Sequence, residues 1–218
     1  VGVWWIGFAQ IPFRKLPKNI FHKNPTGNIL LNGYRELKSV FARLKHLKYM
    51  KRYLISFLFF NMGVQTVMLL ATLFGTKVLG LGSSQLIPII LIIQFVGIAG
   101  SLFFAKLSDK KGNIFSLAVM IFIWIGICVF AYFITGVNQF YLIAVLVGLV
   151  MGGIQALSRA TFSKLIPADT EDHTSFFSFF DVTFHVSVVL GTFSYGLIEH
   201  ITGSMRNSTI ALAAFFIL

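Results

Sequence analysis

Polar and apolar positions fall into long blocks along this chain rather than into the short alternations of strands. Five apolar runs lie at about 53–75, 84–105, 113–135, 139–160 and 174–198. Each is long enough to cross a bilayer core as a helix, which takes ~20 residues. Two shorter apolar stretches flank them. Residues 1–13 read as the end of a helix that begins earlier, and 208–218 as the start of one that continues. The block between, 14–52, is hydrophilic. Pro17, Pro25 and Gly27 mark an irregular start. From Tyr34 to Lys51, Leu37, Val40, Phe41, Leu44 and Leu47 recur at helical spacing with Lys and Arg on the other face. This predicts an amphipathic helix over 34–51, lying on the membrane surface or packed on the ends of its own bundle. The expected organisation is therefore a helix end (1–13), a basic linker (14–52) and a transmembrane bundle (53–218).

Composition agrees with the pattern. Hydrophobic residues make up 56% of the chain and charged residues 11%, against about 45–50% and about 25% in soluble domains. So few charges cannot clothe a water-soluble domain, which sets aside soluble enzymes, nucleic-acid binders and disordered chains. One cysteine, Cys128, rules out an internal disulfide framework. The net charge of +11 is local: residues 14–52 hold eleven Lys/Arg and one acid, Glu36, while the remainder holds seven basic and six acidic residues. An anionic lipid surface is the expected partner, at residues 35–52. Counted by alternating sides, the loops at 14–52, 106–112 and 159–173 carry sixteen Lys/Arg, and the opposite side carries only Lys77 and Arg206. The basic side is predicted to be cytoplasmic.

Polar groups inside spans are costly and tend to face the bundle interior. The run at 113–135 has almost none (Ser116, Trp124, Cys128) and is expected to meet lipid over much of its surface. Asn61 and Gln65 share one face of the first span; Gln94 lies in the second. Gln155, Ser158 and Arg159 follow Gly148, Gly152 and Gly153 in the fourth. Asn61, Gln65 and Gln155 are candidate solute ligands or interhelical hydrogen-bonding groups, and Gly148 with Gly152 predicts close helix packing. In the fifth span, Ser178, Asp181, His185 and Thr192 form one stripe. Counted from its basic end, Asp181 lies roughly 10 Å and His185 roughly 16 Å into the helix. One turn apart, the two can touch and form a proton-coupling or solute-coordinating pair. The alternative pairs Asp181 with a Lys or Arg on a neighbouring helix. Arg159 and Lys164 are expected to snorkel to headgroups. Asp169 and Asp172 are expected to cap the following helix.

Motifs give a family resemblance. Ala105-Lys106-Leu107-Ser108-Asp109-Lys110-Lys111-Gly112 resembles the major facilitator superfamily loop G-x-x-x-D-[RK]-x-G, with Ala105 in place of its first glycine. Gly112 permits a tight turn there. Gly152-Gly153-Ile154-Gln155-Ala156-Leu157-Ser158-Arg159, with Phe162-Ser163-Lys164-Leu165-Ile166-Pro167, resembles the vacuole-effluxer-like branch of that superfamily. So do Asn61-Met62-Gly63-Val64-Gln65-Thr66-Val67 and Gly80-Leu81-Gly82-Ser83-Ser84-Gln85. The likeness runs over about residues 34–218. It implies an all-α polytopic membrane protein, the C-terminal six-helix half of such a transporter, truncated at both ends: the end of helix 6, helices 7–11 and the start of helix 12.

The resemblance further implies a secondary transporter moving a small solute, such as amino acids, by alternating access; coupling is expected to protons or to the solute's own gradient. The N-terminal half of the same protein would complete the site. Asp109, Lys110 and Gly112 would form the conformational loop, and Asn61, Gln65, Gln155, Asp181 and His185 the solute or coupling site. Related sequences commonly carry Lys near His185, so a fixed charge there becomes a titratable one. A bacterial cytoplasmic membrane is the expected location, ahead of a vacuolar one. No Walker-type phosphate loop and no metal or cofactor spacing is present, so neither an enzyme nor a cofactor is expected. The alternative function is a non-transporting receptor or scaffold that uses the basic loop to bind lipid.

Overall fold

A computed structural model of the chain describes residues 7, 8, 10, 29–44, 46–167, 170 and 173–218. The expectations for the rest of 1–28 and for Asp169 and Asp172 lie outside the described residues. Two compact units divide the chain, Val1–Glu36 and Leu37–Leu218. In the first, Phe8 and Tyr34 are exposed, and helix α1 (Ile29–Leu44) begins. The second holds the remainder of α1, then α2 (Lys48–Leu79), α3 (Ser83–Lys111), α4 (Asn113–Phe133), α5 (Val137–Leu165), α6 (His173–Thr202) and the short α7 (Met205–Ile217). Helices α2 to α6 are long and apolar enough to cross a membrane.

Helices α2, α3, α5 and α6 overrun their apolar runs because hydrophilic residues at their ends can continue the backbone ladder, whereas α4 stops at Phe133, short of its run. Helix ends are set by backbone chemistry instead. Gly112 sits between α3 and α4 at φ 89, and its N–H donates to the Ser108 carbonyl at 2.8 Å. A side chain at that dihedral would be strained. At the starts of α3 and α5, Gln85 and Gln139 reach back to accept from the N–H groups of Gly82 and Gly136, both at 3.2 Å. These bonds satisfy donors that a helix start leaves orphaned.

The amphipathic helix corrects one expectation. It ends at Leu44 rather than running to residue 51. His46 and Leu47 turn back onto the Arg43 and Leu44 carbonyls, both at 3.1 Å, and α2 starts afresh at Lys48. The reason is geometric. In a straight helix Met50 would stand roughly 240° around the axis from Leu44. The turn lets Val40, Leu44 and Met50, each 5% exposed or less, enter one core. Of the two placements expected for this helix, the buried Val40 and Leu44 put its apolar face on the bundle.

Backbones approach most closely at glycines. A Cβ on Gly100 would overlap the Leu149 carbonyl; one on Gly148 would lie 2.9 Å from the Ile93 oxygen, and one on Gly152 2.9 Å from the Gly97 oxygen. Helices α3 and α5 thus meet backbone to backbone, as the spacing of Gly148 and Gly152 predicts. Gly191 of α6 does the same against Met62 and Thr66 of α2. Helix α4 buries Leu117, Met120, Trp124, Ile127, Cys128 and Ala131 at helical period. It exposes Ile114, Phe122 and Phe133, so the span expected to meet lipid does so on one side. Trp124 stacks on Phe216 of α7, centroids 5.9 Å apart. Elsewhere Phe95, Ile98, Leu102 and Phe103 of α3 and Val189 and Phe193 of α6 lie exposed. An apolar surface of that extent is suited to lipid, not to water.

Gly100→Ala is expected to destabilise the protein by about 1–3 kcal/mol, the usual cost of forced overpacking. Gly126, where an added methyl group would meet nothing within 4 Å, should accept Ala without loss. Thermal melts of both variants in detergent check this; equal midpoints would refute the close-packing account.

Candidate functional site

A polar seam crosses the apolar bundle where α2, α5 and α6 meet. Asn61 of α2 is 3% exposed. Serine and threonine hydroxyls in these helices mostly donate to carbonyls of their own helix: Ser158 to Ile154, Thr183 to Phe179, Thr192 to Val188. An asparagine on an interior face needs a partner elsewhere. Gln65 Nε2 donates to Asn61 Oδ1 at 3.2 Å, Asn61 Nδ2 donates to Ser187 Oγ, and Ser187 donates to the Phe184 carbonyl at 2.6 Å. The chain of bonds ties α2 to α6. Ser187, fully buried, is a partner that sequence reasoning missed. Asn61 therefore takes the interhelical role that stood open for it.

Next to this network lies a pocket of about 70 Å³ lined by Asn61, Gln155, Ser158 and Arg159 with Phe57, Phe60, Phe180 and Phe184. A separate, more open hollow shares Gln155 and Arg159 with it and is also lined by Ala156, Ser163 and Phe177. Gln155 is exposed and, among the described residues, has no hydrogen-bond partner. Arg159 stands one turn along on the same face of α5. Its Nη2 donates to Asp181 Oδ1 of α6 at 2.6 Å, with the two side chains 58% and 47% exposed. This is the only ion pair among the described residues. The guanidinium also lies over the Phe180 ring, 5.7 Å from its centroid, and Phe180 stacks on Phe57 at 4.3 Å. Tyr53 fixes the neighbouring turn by donating to the Ser158 carbonyl at 2.8 Å.

Two expectations change here. Asp181 bonds to Arg159, the alternative in which a neighbouring helix supplies its counter-charge. Among the described residues His185 makes no hydrogen bond to it. His185 is exposed beside Val182 and Val189 and meets the Phe184 ring edge-on at 5.4 Å. Arg159 does not snorkel outward, because Asp181 offers a charged acceptor across the helix gap. The signal for Arg159 was present in the sequence: it lies four residues after Gln155, and an acid within a span needs a cation nearby.

At the turn between α3 and α4, Asp109 and Lys110 are exposed beside Gly112. The residue that ties this turn down is Asn113. Its Oδ1 accepts from Ser108 at 2.7 Å and from Lys164 at 3.0 Å, and its Nδ2 donates to Thr161 at 3.2 Å. Lys164 is thereby held against the turn rather than extended to headgroups. Among the described residues no group of three His, Cys, Asp or Glu is placed to hold a metal ion.

Five apolar crossing helices around an internal polar seam define an integral, multi-pass membrane protein. The chain belongs to the vacuole effluxer Atg22-like family, whose model matches residues 1–218. It is 29% identical over 217 residues to the MFS-type transporter YxiO of Bacillus subtilis, covering all of this chain and 50% of that protein. It is 27% identical over 242 residues to autophagy-related protein 22 of Kluyveromyces lactis, and 29% over 248 residues to that of Vanderwaltozyma polyspora. Those matches again take in this whole chain, with 48% and 47% of the relatives. The chain spans about half the length of the curated relatives it matches.

Ser187→Ala would leave the buried Asn61 amide without its acceptor. The expected loss is about 0.6 kcal/mol and at most roughly 1.7 kcal/mol, the range for hydrogen bonds between membrane helices. Thr192→Val, which removes a bond within one helix, should cost less. Unfolding titrations in mixed detergent compare them, and a costlier Thr192→Val would sink the assignment.

Proposed function

We propose that this chain is part of a secondary transporter that moves a small dipolar solute, an amino acid, by alternating access. The half-exposed Arg159–Asp181 pair, whose arginine lines a pocket among apolar helices, carries the reading. A bound zwitterion can exchange with such a pair. Its carboxylate takes the place of Asp181 on the guanidinium, and its ammonium takes the place of Arg159 on the carboxylate. Charge-assisted bonds are kept in number, and neither charge is left without a partner. Gln155, one turn before Arg159, is placed to hold a further polar group. The similarity to an MFS-type transporter and to autophagy-related protein 22 supports the class of function.

In this reading the other half of the same protein completes the site, and the coupling ion is the proton. Protonation of Asp181 would release Arg159 to the solute carboxylate, with His185 one turn further along α6. Asp109, Lys110 and Gly112 belong to the turn that moves between conformations, held to α5 through Asn113. The basic side faces the cytoplasm, and the membrane is the bacterial cytoplasmic one.

The test is uptake of a labelled amino-acid pool by the full-length protein in proteoliposomes, with and without an inward proton gradient. Arg159→Gln and Asp181→Asn are each expected to lower uptake at least about tenfold, as loss of a charged hydrogen bond implies. Asp181→Asn should also abolish the response to the gradient. Wild-type uptake and gradient response in both variants would overturn the role of the pair. Absence of uptake by correctly folded wild-type protein would instead favour the non-transporting receptor or scaffold.

A further inference from the structure

The basic segment after Glu36 has two faces, and packing accounts for only one. Val40 and Leu44 are buried in the bundle core. Around the other side of α1, through the turn at His46 and into the first turn of α2, Lys38, Arg43, Lys48, Lys51 and Arg52 are all exposed. Two aromatic residues stand among them. Phe41 is 58% exposed while its ring still approaches Phe179, centroids 6.4 Å apart, and Tyr49 is 76% exposed. The patch therefore flanks the point where a membrane-crossing helix begins. Five cations there meet the depth at which lipid phosphates lie, and the aromatic rings are of the kind that settle between headgroups and acyl chains.

We infer that residues 38–52 form a binding surface for anionic phospholipid headgroups in the leaflet that this end of α2 faces. Charge complementarity names the occupant. Zwitterionic headgroups offer no net charge to five cations, whereas an anionic leaflet attracts each of them. The exposed rings supply what a soluble polyanion would not use, namely a way into the interfacial layer. Such recognition is of the leaflet and of charge rather than of one lipid molecule, so ionic strength weakens it. The inference needs only that α2 crosses a membrane and is independent of the solute.

Photoactivatable phosphatidylglycerol and phosphatidylcholine probes, each carried at low level in proteoliposomes of the full-length protein, test this by mass mapping of the crosslinked peptides. Peptides covering 37–53 should take up the phosphatidylglycerol probe at least about threefold more than the phosphatidylcholine probe, with the preference shrinking at high salt. The combined variant Lys38→Gln, Arg43→Gln, Lys48→Gln, Lys51→Gln and Arg52→Gln should lose the preference. A control variant, Lys106→Gln with Lys110→Gln, should keep it. A melting curve confirms that each variant is folded. Equal labelling by the two probes overturns the inference and leaves the patch to a soluble anionic partner or to acids of the protein itself. A preference that survives neutralisation overturns it too.

Discussion

Inside a bilayer the hydrophobic effect no longer pulls helices together, because a lipid tail is as apolar as a leucine. What remains is close contact and the obligation of every polar group to find a partner in the protein. This structure depends on the first at its glycines. Gly100, Gly148 and Gly152 let α3 and α5 touch through their backbones, and Gly191 does the same for α6 on α2. With the helices that close, dispersion contacts accumulate along the whole interface. The phenylalanines fill what is left, as Phe57, Phe162 and Phe180 do beside the polar seam.

The second obligation shapes the seam. Most hydroxyls of the seam donate within their own helices, as those of Ser158, Thr183 and Thr192 do. Carboxamides and charges cannot do so. Asn61 therefore fixes α2 to α6 through Ser187, and Asp181 reaches α5 through Arg159. The two contacts differ in kind. Asn61 and Ser187 are buried, at 3% and 0% exposure, whereas the Arg159 and Asp181 side chains are 58% and 47% exposed. A sealed bond holds a structure in one arrangement. An open ion pair keeps its atoms available for exchange with something that arrives.

Much of this was legible in the sequence, and the limits have physical causes. Long apolar runs located all five crossing helices, since nothing else satisfies a lipid-exposed backbone. The glycine spacing in α5 announced its tight packing. The turn at His46 and Leu47 was not legible, because the apolar spacing of Leu44 and Leu47 continues a helix that tertiary packing of Met50 interrupts. At the site, one helix was read at a time. Periodicity placed Asp181 and His185 on a common stripe, but a side chain one turn away along a helix competes with one across the interface. Arg159 won because it brings charge and a planar donor. Asn113 was hidden for a similar reason: it follows the loop motif, and beside Ser108 within that motif its partners are Thr161 and Lys164 of α5, far along the chain.

If the Arg159–Asp181 pair binds the solute as proposed, its charges set a selectivity. Arg159 and Asp181 together are neutral, so the site as a whole gains nothing from a net charge on its occupant. A solute with a single charge would satisfy one partner and strand the other, losing a charge-assisted bond. A solute with no charges would strand both, or leave the pair closed. A dipolar ion alone matches both groups at once. The close contacts that hold α5 and α6 in register with their neighbours are what keep the pair within reach of each other.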